Sequence, residues 1–136
     1  MITISRSHVE QMIKQAQQHY PIECCGIVAG MADEDFMEIT QIYPMTNVDQ
    51  SPEHFSLDPG EQFEVYYAIR DKGLQMLGNY HSHPASPARP SQEDLRLAYN
   101  PNDIYIIISL MQEVPVLKAF RIQNGNYQDI PLLISD

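Results

Sequence analysis

The chain has 136 residues, eight basic against eighteen acidic side chains and a net charge of −10. That length suits one domain, spanning 1–136, which can bury about two thirds of its unfolded surface without disulfides or a structural metal. The charge has the wrong sign for a phosphate-backbone binder, and Lys14, Arg70, Lys72, Arg89, Arg96, Lys118 and Arg121 are scattered in sequence, which excludes nucleic acid as a partner.

Ile2–Ile4 reads as a short edge strand, with Ser5 or Ser7 placed to cap the helix that follows. Val9, Met12, Ile13 and Ala16 keep a helical spacing up to Tyr20, where Pro21 prevents continuation. Cys24–Gly30 reads as a buried strand with Glu23 at its entrance. It is joined across an acidic turn, Met31 to Asp35, to an extended Phe36–Tyr43. Adjacent Cys24 and Cys25 fit neither a zinc-ribbon spacing nor an easy disulfide, so they read as reduced thiols. No apolar run reaches membrane-crossing length, and Met1 to Arg6 lacks the regions of a signal peptide, which implies a cytoplasmic protein with no membrane partner.

From Pro44 to Gly60 the chain is rich in Pro, Asn, Asp and Ser, with Phe55-Ser56-Leu57 as its compact apolar element. A loop of that length in a small domain points to function. Asp58-Pro59 starts a second helix, through Phe63, Tyr66, Tyr67 and Ile69 to a stop at Lys72-Gly73. Leu74 to Tyr80 enters another extended segment, and after a proline-rich loop Ser91 opens a short helix through Leu95, Leu97 and Ala98 to Asn100-Pro101. Ile104–Leu110, continuous and β-branched, suggests a central strand covered on both faces. Val116–Ile122 and Tyr127–Ile134, with Asn124-Gly125 between them, read as a terminal hairpin. The fold class is α/β, a mixed sheet flanked by helices.

The chemistry concentrates between Gly78 and Asp94. His81 and His83, two apart on an extended segment, project from one face, and Asp94 falls in the first turn of the helix opened by Ser91. His, His and a carboxylate are the protein ligands of a catalytic zinc whose fourth position stays open. Ser91 to Asp94 is also close to a capping box, and a carboxylate aimed at the histidines is not expected to fold back onto its own cap. His8 and His19 read as solvated, and His54 as a fourth ligand would close the open position. The chain has no P-C-x-x-C after an H-x-E, which sets aside a zinc deaminase.

His81-x-His83, seven residues, Ser91, two residues, Asp94 resembles the signature of the JAMM, or MPN-plus, zinc metallopeptidases, H-x-H-x7-S-x2-D, without a gap. Pro21-Ile22-Glu23-Cys24-Cys25-Gly26 is similar to the family's upstream segment, and the resemblance runs from about Ile2 to the strands near Ile122. It implies a three-layer MPN arrangement, similar to the cytidine deaminases. It also implies one catalytic zinc (Zn2+) held by His81, His83 and Asp94, Glu23 as general base and Ser91 as support for the tetrahedral intermediate. The compact chain resembles the prokaryotic branch. The implied substrate is therefore a ubiquitin-like sulfur-carrier protein ending in Gly-Gly, cut at its C-terminal tail. Removal of a ubiquitin-like modifier from lysines and a non-catalytic MPN scaffold are the alternatives. The Met45–Leu57 segment is expected to line the groove for the tail.

Overall fold

The computed structural model describes residues 1–136, in the order β1 (Ile2–Ser5), α1 (Arg6–His19), β2 (Cys25–Ala32), β3 (Met37–Met45), α2 (Pro59–Asp71), β4 (Gln75–His83), α3 (Gln92–Arg96), β5 (Ile104–Ser109), β6 (Val116–Gln123), β7 (Asn126–Ile130) and β8 (Leu132–Ser135). Ser5 caps α1 by accepting the His8 amide at 3.2 Å, and Asp58 caps α2 by accepting the Glu61 amide at 3.0 Å, as the residue types at those positions dictate. The strands form one eight-stranded mixed sheet, ordered β7-β6-β5-β4-β2-β3-β1-β8.

Alternation along β2 and β4 divides the interior into two layers. Val28, Tyr80, Ile104, Ile106 and Ile108 face α1 and pack with its Val9, Met12 and Ala16. Cys25, Ile27 and Ala29 face the other way, beneath Ile69 of α2. β5 is dominated by isoleucine because both of its faces are covered, and Ile104, Ile106, Ile107 and Ile108 are each fully buried. Within the α1 layer Gln15 is the polar exception. Its Nε2 donates to the Cys25 carbonyl at 3.0 Å, and its Oε1 accepts from the Tyr80 hydroxyl at 2.6 Å. Tyr80 lies so close over Gly26 that a Cβ there would be 2.3 Å from its ring.

The structure changes three readings. β1 is interior to the sheet, between β3 and β8. The terminal hairpin forms, with Asn124 and Gly125 both at positive φ, but it ends at Ile130. Pro131 has no N–H to continue the ladder, and the chain then crosses to the far edge, where β8 pairs parallel to β1. α3 is shorter than its apolar pattern, stopping at Arg96 with Leu97 as its C-cap.

Candidate active site

β4 pairs antiparallel with β2, Cys25 opposite His81, and parallel with β5, His83 opposite Ser109. Gly78 lets β4 run hard against β5: a Cβ at that position would meet the Ile104 carbonyl oxygen at 1.9 Å. Its C-terminal end places His81 and His83 side by side, both almost fully buried.

The two Nε2 atoms are 3.1 Å apart, and each lies 3.2 Å from Asp94 Oδ2. Three tetrahedral ligands at the usual zinc distances of about 2.0–2.2 Å are separated by about 3.3 Å, so this near-equilateral triangle has the dimensions of one face of such a site. His83 Nδ1 donates to the Pro87 carbonyl at 2.8 Å, which fixes the ring with Nε2 facing the triangle, where it donates to Asp94 when protonated and offers a lone pair to a cation when neutral. The His81 ring stacks on Phe55 with centroids 4.6 Å apart. His81, His83 and Asp94 are thus a group that could hold a metal ion. His54 is instead 3.1 Å from Asp49, and His8 and His19 bond locally to Ser5 and to the Gln15 carbonyl.

Ser91 and Asp94 do what the sequence reading held to be incompatible. Asp94 N–H donates to Ser91 Oγ at 3.0 Å, and Asp94 Oδ2 accepts the Ser91 N–H at 2.9 Å, completing the capping box. The same Oδ2 faces both histidines, because a carboxylate oxygen has lone pairs enough for an amide and a cation. Burial opposes ionisation of Asp94, but hydrogen bonds from His81 and His83 outweigh it and hold the carboxyl well below the usual range. For His83, burial works against the charged ring, while the Asp94 carboxylate and the Pro87 carbonyl raise its pKa overall.

Glu23 reaches the same corner from the segment just before β2. Its N–H donates to the Ser51 carbonyl at 3.0 Å, and its own carbonyl accepts from Asn47 Nδ2 at 3.1 Å. Glu23 is 3% exposed, and its Oε1 is buried without a partner. Burial pushes its pKa up to about 8, with His83 opposing and Asp94 adding to the rise. Burial likewise pushes the Cys24 and Cys25 thiols up to about 11 and about 12, so both are inert protonated side chains at neutral pH.

Two supporting residues went unread in the sequence. Ser82 N–H donates to the Cys24 carbonyl at 3.1 Å, and the return bond goes from Cys24 N–H to the Ser82 hydroxyl at 2.8 Å, closing the ladder beside Glu23. The serine between the histidines was the available signal. Asn47 accepts the Asp49 and Ser56 amides at 3.0 and 3.2 Å and so folds the loop against Glu23. Nothing local in the sequence marks it.

A cleft of about 330 Å³ opens from the triangle, lined by Phe55, Leu57, Asn79, Leu97, Tyr105 and Ile122 among others. The loop expected to border it does so through Phe55–Leu57, whereas Met45 is buried beneath α2.

A family described as prokaryotic homologs of the JAB domain, Prok-JAB, matches residues 5–123. The chain belongs to the Prok-JAB family. This Prok-JAB chain is similar to the CysO-cysteine peptidase of Mycobacterium tuberculosis, at 34% identity over 133 residues, covering 97% of this chain and 90% of that one. It is also similar to a probable TtuB-protein conjugate cleaving protease of Thermus thermophilus, at 30% identity over 99 residues, covering 72% and 64%. The solution structure of a protein from Desulfitobacterium hafniense shares 44% identity with a TM-score of 0.92, covering 100% of this chain and 94% of that one.

Proposed function

We propose that this Prok-JAB chain is a zinc-dependent peptidase that cuts after the C-terminal Gly-Gly of a ubiquitin-like sulfur-carrier protein in the cytoplasm. The observation that carries the reading is the pairing of a ligand triangle of tetrahedral dimensions with a buried, unpartnered Glu23 carboxyl in the same corner. The similarity to a peptidase named for CysO-cysteine supports the substrate class.

His81, His83 and Asp94 would hold the ion. Zinc in such a site supplies an acidified water as nucleophile at neutral pH and polarises the carbonyl to be attacked. Glu23 would act as the general base, its carboxyl accepting the nucleophile's proton and giving it up to the departing amine. Its pKa of about 8 without metal suits the exchange, because a base works best near the operating pH. Ser91 uses its oxygen to cap α3 and turns its hydroxyl hydrogen toward the negative charge that develops on the cut carbonyl. The cleft takes the tail, and two glycines pass its apolar walls because they carry no side chains to clash.

A second reading, release of a ubiquitin-like modifier from lysines, is favoured by the similarity to a conjugate cleaving protease. Single-turnover cleavage of a carrier bearing one residue beyond Gly-Gly, beside a carrier joined to a lysine side chain, separates the two. Failure of the zinc-loaded protein to cut either would sink the peptidase reading.

A further inference from the structure

The metal corner lies between two openings on one face of the sheet. Asn79 and His81 of β4 and Tyr105 and Ile107 of β5 border the cleft of about 330 Å³. Two residues farther along each strand on that face come His83 and its ladder partner Ser109, and Ser109 borders a second pocket of about 360 Å³. Arg89, Gln112, Lys118, Tyr127 and Asp129 complete the polar lining of that pocket. The divide between the openings is the loop after β4, pinned where His83 Nδ1 donates to the Pro87 carbonyl at 2.8 Å and Ser109 Oγ donates to the Ser86 carbonyl at 2.6 Å. A tail that runs along the cleft to the triangle points, beyond the bond to be cut, across this loop toward the second pocket. The distance is short. His81, Ile107 and Lys118 form one row across β4, β5 and β6, which sets the His81 and Lys118 backbones about 10 Å apart at the usual strand spacing.

The two openings differ in charge. Glu93 and Asp94 line the cleft, and no lysine or arginine does. The second pocket brings Arg89 and Lys118 together, in a chain with eight basic side chains and a net charge of −10. Arg6 pairs with Asp136 and Arg96 with Glu93, whereas neither Arg89 nor Lys118 forms an ion pair. Asp129, the acid in the lining, offsets one of the two charges at most. Two unpaired cations side by side on a strongly acidic protein make a local site for an anion. The anion that a cut tail brings there is fixed by its chemistry. One residue beyond the cut bond a linear chain ends in an α-carboxylate, whereas a lysine joined through its side chain carries its main chain onward. Arginine offers the planar fork that takes a carboxylate through two parallel hydrogen bonds, and lysine adds a point charge. We infer that Arg89 and Lys118 form a carboxylate-binding site on the departing side of the cut, so that the protein removes a single C-terminal residue as a carboxypeptidase. Water adds across the C–N bond, leaving the carrier with a C-terminal glycine carboxyl and releasing a free amino acid. This inference rests on the tail-cleaving reading and specifies its substrate as a tail one residue longer than Gly-Gly with a free C-terminus.

The test sets a carrier bearing one alanine beyond Gly-Gly against the same carrier ending in alaninamide, which lacks only the charged carboxylate. The zinc-loaded wild-type protein should cut the free-acid tail about tenfold or more efficiently than the amide tail, mostly through KM, the scale of a hydrogen bond to a charged group. Arg89→Gln and Lys118→Gln should each bring that preference below about threefold, and Asp129→Asn should widen it. Both cations are exposed, so the two variants should keep zinc near one equivalent and unfold with wild type. Free alanine should inhibit the wild-type protein more strongly than alaninamide does, and this difference should shrink in both variants. A wild-type protein that cuts the two tails equally well, or variants that keep the full preference, overturns the inference and leaves the tail-cleaving reading standing. Variants that lose activity on both tails in equal proportion also overturn it, by marking a structural role. A wild-type protein that cuts neither tail removes the tail-cleaving reading and this inference together.

Discussion

Glu23 and Asp94 enter one corner from opposite sides, Glu23 from the segment just before β2 and Asp94 from the first turn of α3, and the fold sets their ionisation apart. Asp94 has an amide and two imidazoles around one oxygen, and it is held ionised. Glu23 is more deeply buried, has no hydrogen bond to its Oε1, and is pushed up to about 8. Burial opposes charge in both, so the partners decide the outcome. A ligand must stay an anion, whereas a base must be able to gain and release a proton, and the two environments suit the separate roles proposed for Asp94 and Glu23.

The sharpest way to break the comparison is to exchange each carboxylate for its amide. Asp94→Asn should drop zinc content from near one equivalent to below half and take activity to background, as read by metal analysis after dialysis. Glu23→Gln should keep zinc and lose about 10²–10⁴-fold in single-turnover rate, the range for a positioned acid–base group. A Glu23→Gln protein that holds zinc and cuts within a few-fold of wild type would place the base elsewhere. Ser91→Ala should cost about 10²–10³-fold in rate if its hydroxyl meets the developing charge, together with about 1 kcal/mol of stability from the lost cap. Loss of stability alone would leave Ser91 as a cap.

Acidity sharpens the same contrast in the metal-free protein. Glu23 has a folded value raised from 4.5 to about 8, so the stability it contributes is whole below 4.5 and is lost as pH rises through about 8. Asp94 is depressed from 3.8, so its contribution is present above that value and is lost as pH falls through its lower folded value. Thermal unfolding should therefore show wild type losing more stability than Glu23→Gln between pH 5 and pH 9, and more than Asp94→Asn between pH 5 and pH 2. The smallest effects belong to His8→Ala and His54→Ala, which should leave zinc content near one equivalent, since neither ring faces the triangle.

The histidine pair and Asp94 were legible in the sequence because the strand-loop-helix unit that joins them is local. Glu23 was legible only through the resemblance, because its place depends on the pairing of Cys25 with His81, a contact between distant segments. The double duty of Asp94 was misread, since a residue pattern does not show that one oxygen can serve two directions. β8 was misread for a related reason. Pro131 marks the break in the chain, but the strand beyond it finds its partner at the opposite edge of the sheet.

Gln15 ties α1 to β2 and β4 from the side of the sheet opposite the candidate site. A slip of α1 by one residue would leave an amide, a phenol and a main-chain carbonyl unpaired in an otherwise oily layer, at about 1–3 kcal/mol for each group. Apolar packing alone tolerates such slips, since one methyl group substitutes readily for another. The glutamine therefore acts as a dowel: it adds little to the strength of the joint but allows a single alignment, and the strand that delivers Glu23 is one of the parts it aligns.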